Sequence, residues 1–339
     1  MTPSSDHTTP TGAPRRVLVS GGSGFIGSHL TPLLLARGDH VTVVDNLSTG
    51  RRANLPGDSG SLRFIEADLR EALRVLGPGE RFEEIYHLAA AVGVTHVLDN
   101  PILAIETNVE QTAALLRFAA NRSPSGGPVR TLVASSSEVY GKSAKSPFSE
   151  EDDVLYGPTT VTRWSYACTK AIDEYLAFAH HQHHGLPVVV VRFFNTVGPR
   201  QVGDYGMVLP RFVYAALRNE PISVYGDGAQ TRCFCDVRDV SAALPRLLES
   251  PACIGRVFNL GSDVPISIRE LAEMVVRVLG SRSEIVSVPY ADAYPQGFED
   301  LRQRRPDLTR IRQAIGFSPR YPLDQTIRDL ADTIRGSIS

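Results

Sequence analysis

Tyr166 and Lys170 stand four residues apart in the run Tyr166-Ala167-Cys168-Thr169-Lys170, so on a helix their side chains share one face. A phenol of ordinary pKa, near 10, is a weak base at neutral pH, and a neighbouring ammonium favours its phenolate. Such a pair offers proton abstraction from a substrate hydroxyl. A second hydroxyl that could bond the same substrate oxygen is at hand in Ser135-Ser136-Ser137-Glu138-Val139-Tyr140-Gly141, which leaves the strand-like run 129–135. Ser136 is the candidate, because ligands collect at the carboxyl ends of strands in open α/β sheets. Alone, a Tyr/Lys pair at this spacing reads as a surface pair and a serine cluster as a turn. Their combination with a third feature makes them a reaction centre.

That third feature is Gly21-Gly22-Ser23-Gly24-Phe25-Ile26-Gly27, which follows the first strand-like run and opens a helix. Glycines at 21, 24 and 27 allow a tight turn, close backbone approach to a pyrophosphate, and packing of helix on strand. The helix N-terminus then faces the negative charge. Asp45 ends the second strand-like run about 20 residues on, where a carboxylate can bond both ribose hydroxyls of NAD and would repel a 2′-phosphate. Arg51 and Arg52 pull the other way, since an arginine can accept that phosphate. NAD is therefore expected over NADP, and a bound nicotinamide cation would further favour the Tyr166 phenolate. Asp68, at the end of the third run, could reach the adenine or simply cap the next helix.

These residues need a scaffold that brings strand ends together. Runs 16–20, 40–45, 62–68, 84–90, 129–135 and 187–194 read as strands, several of them apolar on both faces. Between them, 26–37, 101–121 and 166–184 are long enough for helices. This alternation predicts an α/β fold, a Rossmann-type doubly wound parallel sheet. After Asn195 the rhythm loosens into a smaller mixed α/β C-terminal cap lobe, with helices at 209–218, 267–279, 307–315 and 324–334 and strands at 222–225, 232–237 and 256–260. The expected division is a disordered tail at 1–14, an NAD-binding domain of 15–195 plus 234–262, and a cap lobe of 196–233 plus 263–335.

A chain of 339 residues is long enough for two such lobes. Its 35 Lys and Arg against 37 Asp and Glu give a formal net charge of −2, so no broad basic face exists for nucleic acid or an anionic membrane. No apolar run is long enough to span a bilayer. The cysteines, Cys168, Cys233, Cys235 and Cys253, form neither a disulfide framework nor a zinc pair, which fits a reducing cytoplasm. His180, His181, His183 and His184 lie where a helix should end, and stabilise that end rather than hold a metal. Cys233 and Cys235 read as buried apolar residues, and Trp164 as packing.

With these residues in place, the chain resembles the extended short-chain dehydrogenases/reductases that act on nucleotide sugars. The stretches that carry the resemblance are GGSGFIG, VVDNLSTG, HLAA (87–90), SSSEVYG, YACTK, RFFNTVGPR (192–200), VYGDGAQTRCF (224–234) and RRPD (304–307). The resemblance implies that Tyr166 takes a sugar 4-hydroxyl proton while NAD takes the C4 hydride, that Ser136 polarises the oxygen, and that Lys170 holds the ribose. It also implies that Asn46, Leu69, Leu88, Ala89, Ala90 and Asn108 line the cofactor. On the substrate side it implies Ser137, Asn195, Arg200, Val208, Tyr225, Arg232 and Arg304, and a homodimer formed through 101–121 and 166–184.

Within that family, Glu138 discriminates. SSSEVYG with RWSYACTK, QTRCF and RRPD resembles UDP-glucuronic acid decarboxylases, in which the 4-ketone makes the C6 carboxylate labile and Glu138 and Arg304 assist. Ala91-Val92-Gly93-Val94 departs from the aromatic-containing segment common after HLAA in that group. A UDP-hexose or UDP-uronic acid 4-epimerase is the alternative; a nucleotide-sugar 4,6-dehydratase and a non-catalytic NAD-binding module are more distant ones.

Overall fold

A computed structural model describes residues 14–57, 59–77, 79–90, 100–120, 128–203, 207–289 and 302–338. The expected tail, Pro14 apart, and the segment 91–94 lie outside the described residues. The first half of the chain alternates strand and helix: β1 (Arg16–Ser20), α1 (Phe25–Ala36), β2 (His40–Asp45), β3 (Leu62–Glu66), α2 (Leu69–Leu76), β4 (Glu84–His87), α3 (Pro101–Ala119), β5 (Arg130–Ser136), α4 (Ser165–His184) and β6 (Val188–Phe193). With β11 (Arg256–Leu260) the strands form one seven-stranded sheet in the order β11-β6-β5-β4-β1-β2-β3. Every pairing in it is parallel. The connections run one way from β1 to β3 and the other way from β4 to β6. A crevice therefore opens at the carboxyl ends of β1 and β4, the switch point where doubly wound sheets take ligands.

Both sheet faces are buried, which explains why strands such as Val188–Phe193 are apolar throughout. One face packs Val17, Val19, Val41, Val43, Val189 and Val191 against Leu30 and Leu34 of α1 and against Val240, Leu244 and Leu247. The other packs Leu18, Ile85, Val133, Val188 and Val190 against Leu115 and Leu116 of α3 and Ala177 of α4.

The remaining elements are β7 (Thr196–Val197), α5 (Val208–Arg218), β8 (Ile222–Tyr225), β9 (Thr231–Cys233), β10 (Cys235–Asp236), α6 (Val237–Glu249), β12 (Pro265–Ser267), α7 (Ile268–Leu279), β13 (Ile285–Val288), β14 (Gln303–Arg304), α8 (Thr309–Ile315) and α9 (Leu323–Ile338). Helices α5, α7 and α9 bury a third apolar cluster, including Leu209, Phe212, Leu271, Val275, Ile327 and Leu330. This is the core of the cap. Leu308, Ile311 and Phe317 pack instead with the sheet's cluster, so 308–317 lie against the sheet although sequence placed them with the cap.

Two sequence expectations change here. The strand expected at 232–237 is two short ones: β9 pairs with β12 and β14, whereas β10 pairs with β7. The helix α6 was not foreseen. Its apolar spacing of Val237, Val240, Ala243, Leu244, Leu247 and Leu248 is helical, but Pro245 interrupts the pattern as a breaker, and tertiary packing overrides it. Cys233, Cys235 and Cys253 are buried, and all four cysteines are free. The four histidines end α4, which is closed by Gly185 in the left-handed conformation. Trp164 is buried, as packing requires. Among the described residues, no helix is long and apolar enough to cross a membrane, and no cluster of His, Cys, Asp and Glu could hold a metal ion.

Candidate active site

The crevice is a cavity of about 680 Å³ bounded by the carboxyl ends of the sheet strands on one side and by cap residues on the other. Its floor is the glycine turn. Gly21 has φ +73, and a side chain there would bring Cβ within 2.7 Å of the Ala89 backbone nitrogen. A Cβ on Gly27 would meet the Gly22 Cα at 2.6 Å, so glycine is what lets α1 start against the turn. Gly24 is the N-cap of α1 and supplies no capping side chain, which leaves the first-turn N–H groups facing the cavity. At the end of β2, Asp45 accepts from the Ser23 and Leu47 backbone N–H groups, both at 2.9 Å, and lines the cavity.

This donor set fits NAD: a helix N-terminus for a pyrophosphate and a fixed carboxylate for ribose hydroxyls. Arg51 and Arg52 are absent from the wall, and Arg52 stacks instead on Phe64. Asp68 fulfils both of its readings, since it lines the cavity and also caps α2 through the Arg70 N–H at 3.0 Å. Asn46, Leu69, Leu88, Ala89 and Ala90 complete this end of the wall, together with Phe25 and Ile26. Asn108 is not on the wall. It is buried between α3 and α4, its amide directed at the Thr169 hydroxyl at 3.4 Å.

The proton-transfer pair enters from α4. That helix is fixed to β6 by a bidentate bond from Arg192 to Glu174, at 2.9 and 2.7 Å, with a further bond from Ser135 to the same carboxylate. Tyr166 and Lys170 then lie side by side on the wall beside Ser136. Burial raises the Tyr166 phenol above its ordinary pKa, while the Lys170 charge and a hydrogen bond with Ser136 work in the opposite direction. The Lys170 charge thus favours the phenolate as expected, and burial outweighs it. The Lys170 ammonium donates to the Ala134 carbonyl and to Asp173, each at 3.1 Å.

Glu138 follows in the turn after β5, anchored by the buried neighbours Val139 and Tyr140; the Tyr140 ring stacks on Phe148 at 4.6 Å and its hydroxyl donates to Asn259. The Glu138 carboxylate is clamped between two guanidiniums, Arg304 at 2.5 Å and Arg163 at 2.7 Å. Burial alone would raise its pKa, but the two arginines outweigh burial and hold it at about 2. Arg304 comes from β14, paired in register with Arg232 of β9, so both reach the wall from the cap. Arg163 is the residue that sequence reasoning missed. Its signal was position, three residues before Tyr166 in RWSYACTK, just ahead of α4.

The wall also holds Ser137, Asn195, Val208 and Tyr225 as expected, and adds Arg211, whose guanidinium lies 4.1 Å over the Tyr225 ring. Arg200 is elsewhere. It takes a positive φ of 67 and donates to the Ser28 carbonyl at 2.8 Å, tying its loop to α1.

Comparison with known proteins adds to this geometry. The profile of the NAD dependent epimerase/dehydratase family matches residues 17–261. Among curated proteins, the chain is 38% identical over 322 residues to a UDP-N-acetyl-alpha-D-glucosaminuronate decarboxylase of Bacillus cytotoxicus, covering 95% of this chain and 98% of that one. It is 37% identical over 312 residues to UDP-glucuronic acid decarboxylase 4 of Arabidopsis thaliana, covering 91% of this chain and 66% of that one. Among solved structures, MoeE5 in complex with UDP-glucuronic acid and NAD superposes with a TM-score of 0.80 at 32% identity, covering 95% and 99% of the two chains. The chain belongs to the NAD dependent epimerase/dehydratase family, and NAD is the cofactor for which its glycine turn and Asp45 are suited.

Proposed function

We propose that the protein is an NAD-dependent UDP-glucuronic acid decarboxylase. The observation that carries this reading is the clamp on Glu138. Two buried guanidiniums, Arg163 and Arg304, meet at one carboxylate in the cavity wall that also holds Tyr166. Guanidiniums make charge-assisted, bidentate hydrogen bonds to carboxylates, which a substrate bearing a carboxylate offers and a neutral hexose does not. The uronate C6 carboxylate is such a group. The similarity to decarboxylases over most of the chain supports the same reading.

The roles follow from the chemistry of each group. Bound NAD supplies the hydride acceptor. Tyr166 takes the proton of the sugar 4-hydroxyl, helped by Lys170 and with Ser136 bonded to the same oxygen. The resulting 4-ketone is β to the carboxylate; the C5–C6 bond then breaks, CO₂ leaves, and its electron pair is delocalised into the ketone until C5 is protonated. Arg304 and Arg163 hold the carboxylate before it leaves. Because two arginines keep Glu138 ionised, it acts first as their counter-charge. Asn195, Val208, Tyr225 and Arg232 hold the UDP moiety, with guanidiniums on its phosphate oxygens. The Rossmann half, 15–195 plus 234–262 with 308–317 packed on its sheet, carries the cofactor, and 196–233 with the rest of 263–335 is the cap.

The protein acts as a homodimer in this reading. Ile102, Leu103 and Ile105 on α3 and Ile172 and Tyr175 on α4 are exposed on two adjacent helices, an apolar face suited to a second copy. Four free cysteines accord with the cytoplasm.

A second reading keeps the chemistry and changes the sugar: the similarity to the UDP-N-acetylglucosaminuronate enzyme extends over 98% of that protein, so a 2-acetamido uronic acid is also a candidate substrate. One tube decides. Purified protein with UDP-glucuronic acid should release CO₂ without added NADH, and NMR of the product should show a UDP-pentose or its 4-keto form. Turnover of the acetamido sugar alone would shift the assignment to the second reading. Epimerisation at C4 with the carboxylate retained would refute both.

A further inference from the structure

We propose that Asp173 is the positioning residue of the reaction centre, holding the Lys170 ammonium at Tyr166 through a buried ion pair on α4. This rests on the reading of Tyr166 and Lys170 as the reacting pair. It adds what keeps the lysine charged and aimed.

Tyr166, Lys170 and Asp173 follow one another on α4 at spacings of four and three, so they lie along one face. The Lys170 side chain is 3% exposed and that of Asp173 is wholly buried. Of the three N–H donors on the ammonium, one goes to the Ala134 carbonyl and one to Asp173, both at 3.1 Å. The third is left for the cavity that Lys170 lines. An ammonium buried this far sheds its proton unless an anion compensates it. Asp173 is that anion, and its charge works against burial to raise the Lys170 pKa.

Of the two Asp173 carboxylate oxygens, Oδ2 accepts from Lys170, and Oδ1 is buried with no hydrogen-bond partner among the described residues. The Thr112 hydroxyl of α3 is close enough to Asp173 to favour its charged form. Thr112 also meets His87 Nε2 at 3.0 Å, and His87 Nδ1 meets the Ser20 hydroxyl at 2.7 Å. Burial, with the Lys170 charge adding to it, holds His87 at about 3, so the ring is neutral and has one donor and one acceptor. Ser20, His87 and Thr112 are all buried and link β1, β4 and α3 beside Lys170. The groups that face Lys170 are Tyr166, Asp173 and Glu174 on its own helix and His87 from β4, while Glu138 faces Tyr166 from the turn after β5.

Asp173→Asn keeps the volume and removes the charge. With UDP-glucuronic acid as substrate, kcat should fall roughly tenfold, and the alkaline limb of the kcat/KM profile should move down by about one pH unit, because Lys170 loses the carboxylate that keeps it protonated. The Kd of UDP, by calorimetry, should stay within about twofold. Asp173→Glu should recover part of kcat. Lys170→Met, the reference, should be inactive. If Lys170→Met turns over at the wild-type rate, the reading of the pair is overturned and this inference with it. If Lys170→Met is inactive and Asp173→Asn has an unshifted profile, the inference alone is overturned. Should Asp173→Asn fail to fold, Asp173→Ser takes its place, and an unshifted profile there overturns the inference.

Discussion

The two ends of the cavity are built differently. At the glycine turn, backbone does the work: close packing at Gly21 and Gly27, open N–H groups at the start of α1, and one carboxylate, all within 25 residues from Gly21 to Asp45. At the cap end, side chains do the work, and they come from far apart: Glu138, Arg163, Arg232 and Arg304 meet through β9, β14 and the turns around α4. A backbone site tolerates almost no side-chain variation and therefore marks a family. A site of converging side chains can be retuned one residue at a time, which is how one scaffold serves several sugars.

Breaking the shared centre should have the largest effect. Tyr166→Phe should reduce kcat by roughly 10²–10⁴-fold while UDP still binds, as measured by stopped-time product assay and calorimetry. Gly27→Ala should separate the ends next. A methyl against the turn should strip NAD, read as lost absorbance of the cofactor in purified protein, with the cap's affinity for UDP largely kept. If UDP binding were lost in parallel, the two ends would not be independent.

Arg304→Met should come third. It removes half of the clamp on a buried carboxylate and should cost about 3–5 kcal/mol in stability by denaturant titration unless Glu138 takes up a proton. Arg232→Met, on the same side but outside the clamp, should weaken UDP binding by roughly tenfold and leave NAD in place. The smallest expected effect is with pH. Glu138 is depressed from 4.5 to about 2 in the folded protein. The unfolded chain therefore binds its proton first, so the clamp's stabilisation is full above about pH 4.5 and is lost as pH falls through about 2. Thermal unfolding of Glu138→Gln and wild type across that window should converge at its acid end.

Much of this was legible in the order of residues. Strands β1, β2, β8 and β11 fall at the expected positions, because a buried parallel strand is apolar on both faces and leaves a continuous mark. Gly21, Gly24, Gly27 and Asp45 were legible for a related reason: their constraints are local to one strand, turn and helix. Helix α6 was hidden by Pro245, and the split of 232–237 by pairing partners that lie 30 and 70 residues downstream, roughly, in β12 and β14.

The sequence by itself determined the α/β class, the cofactor turn and the residue types of the reaction centre, since each depends on periodicity or on neighbours a few positions away. Only the tertiary structure decided that Glu138 sits between Arg163 and Arg304, that Asp173 and His87 stand behind Lys170, and that Asn108 and Arg200 leave the wall. Those are meetings of side chains far apart in the chain. A charge acts through space at a few ångströms, and no spacing along the chain records that distance.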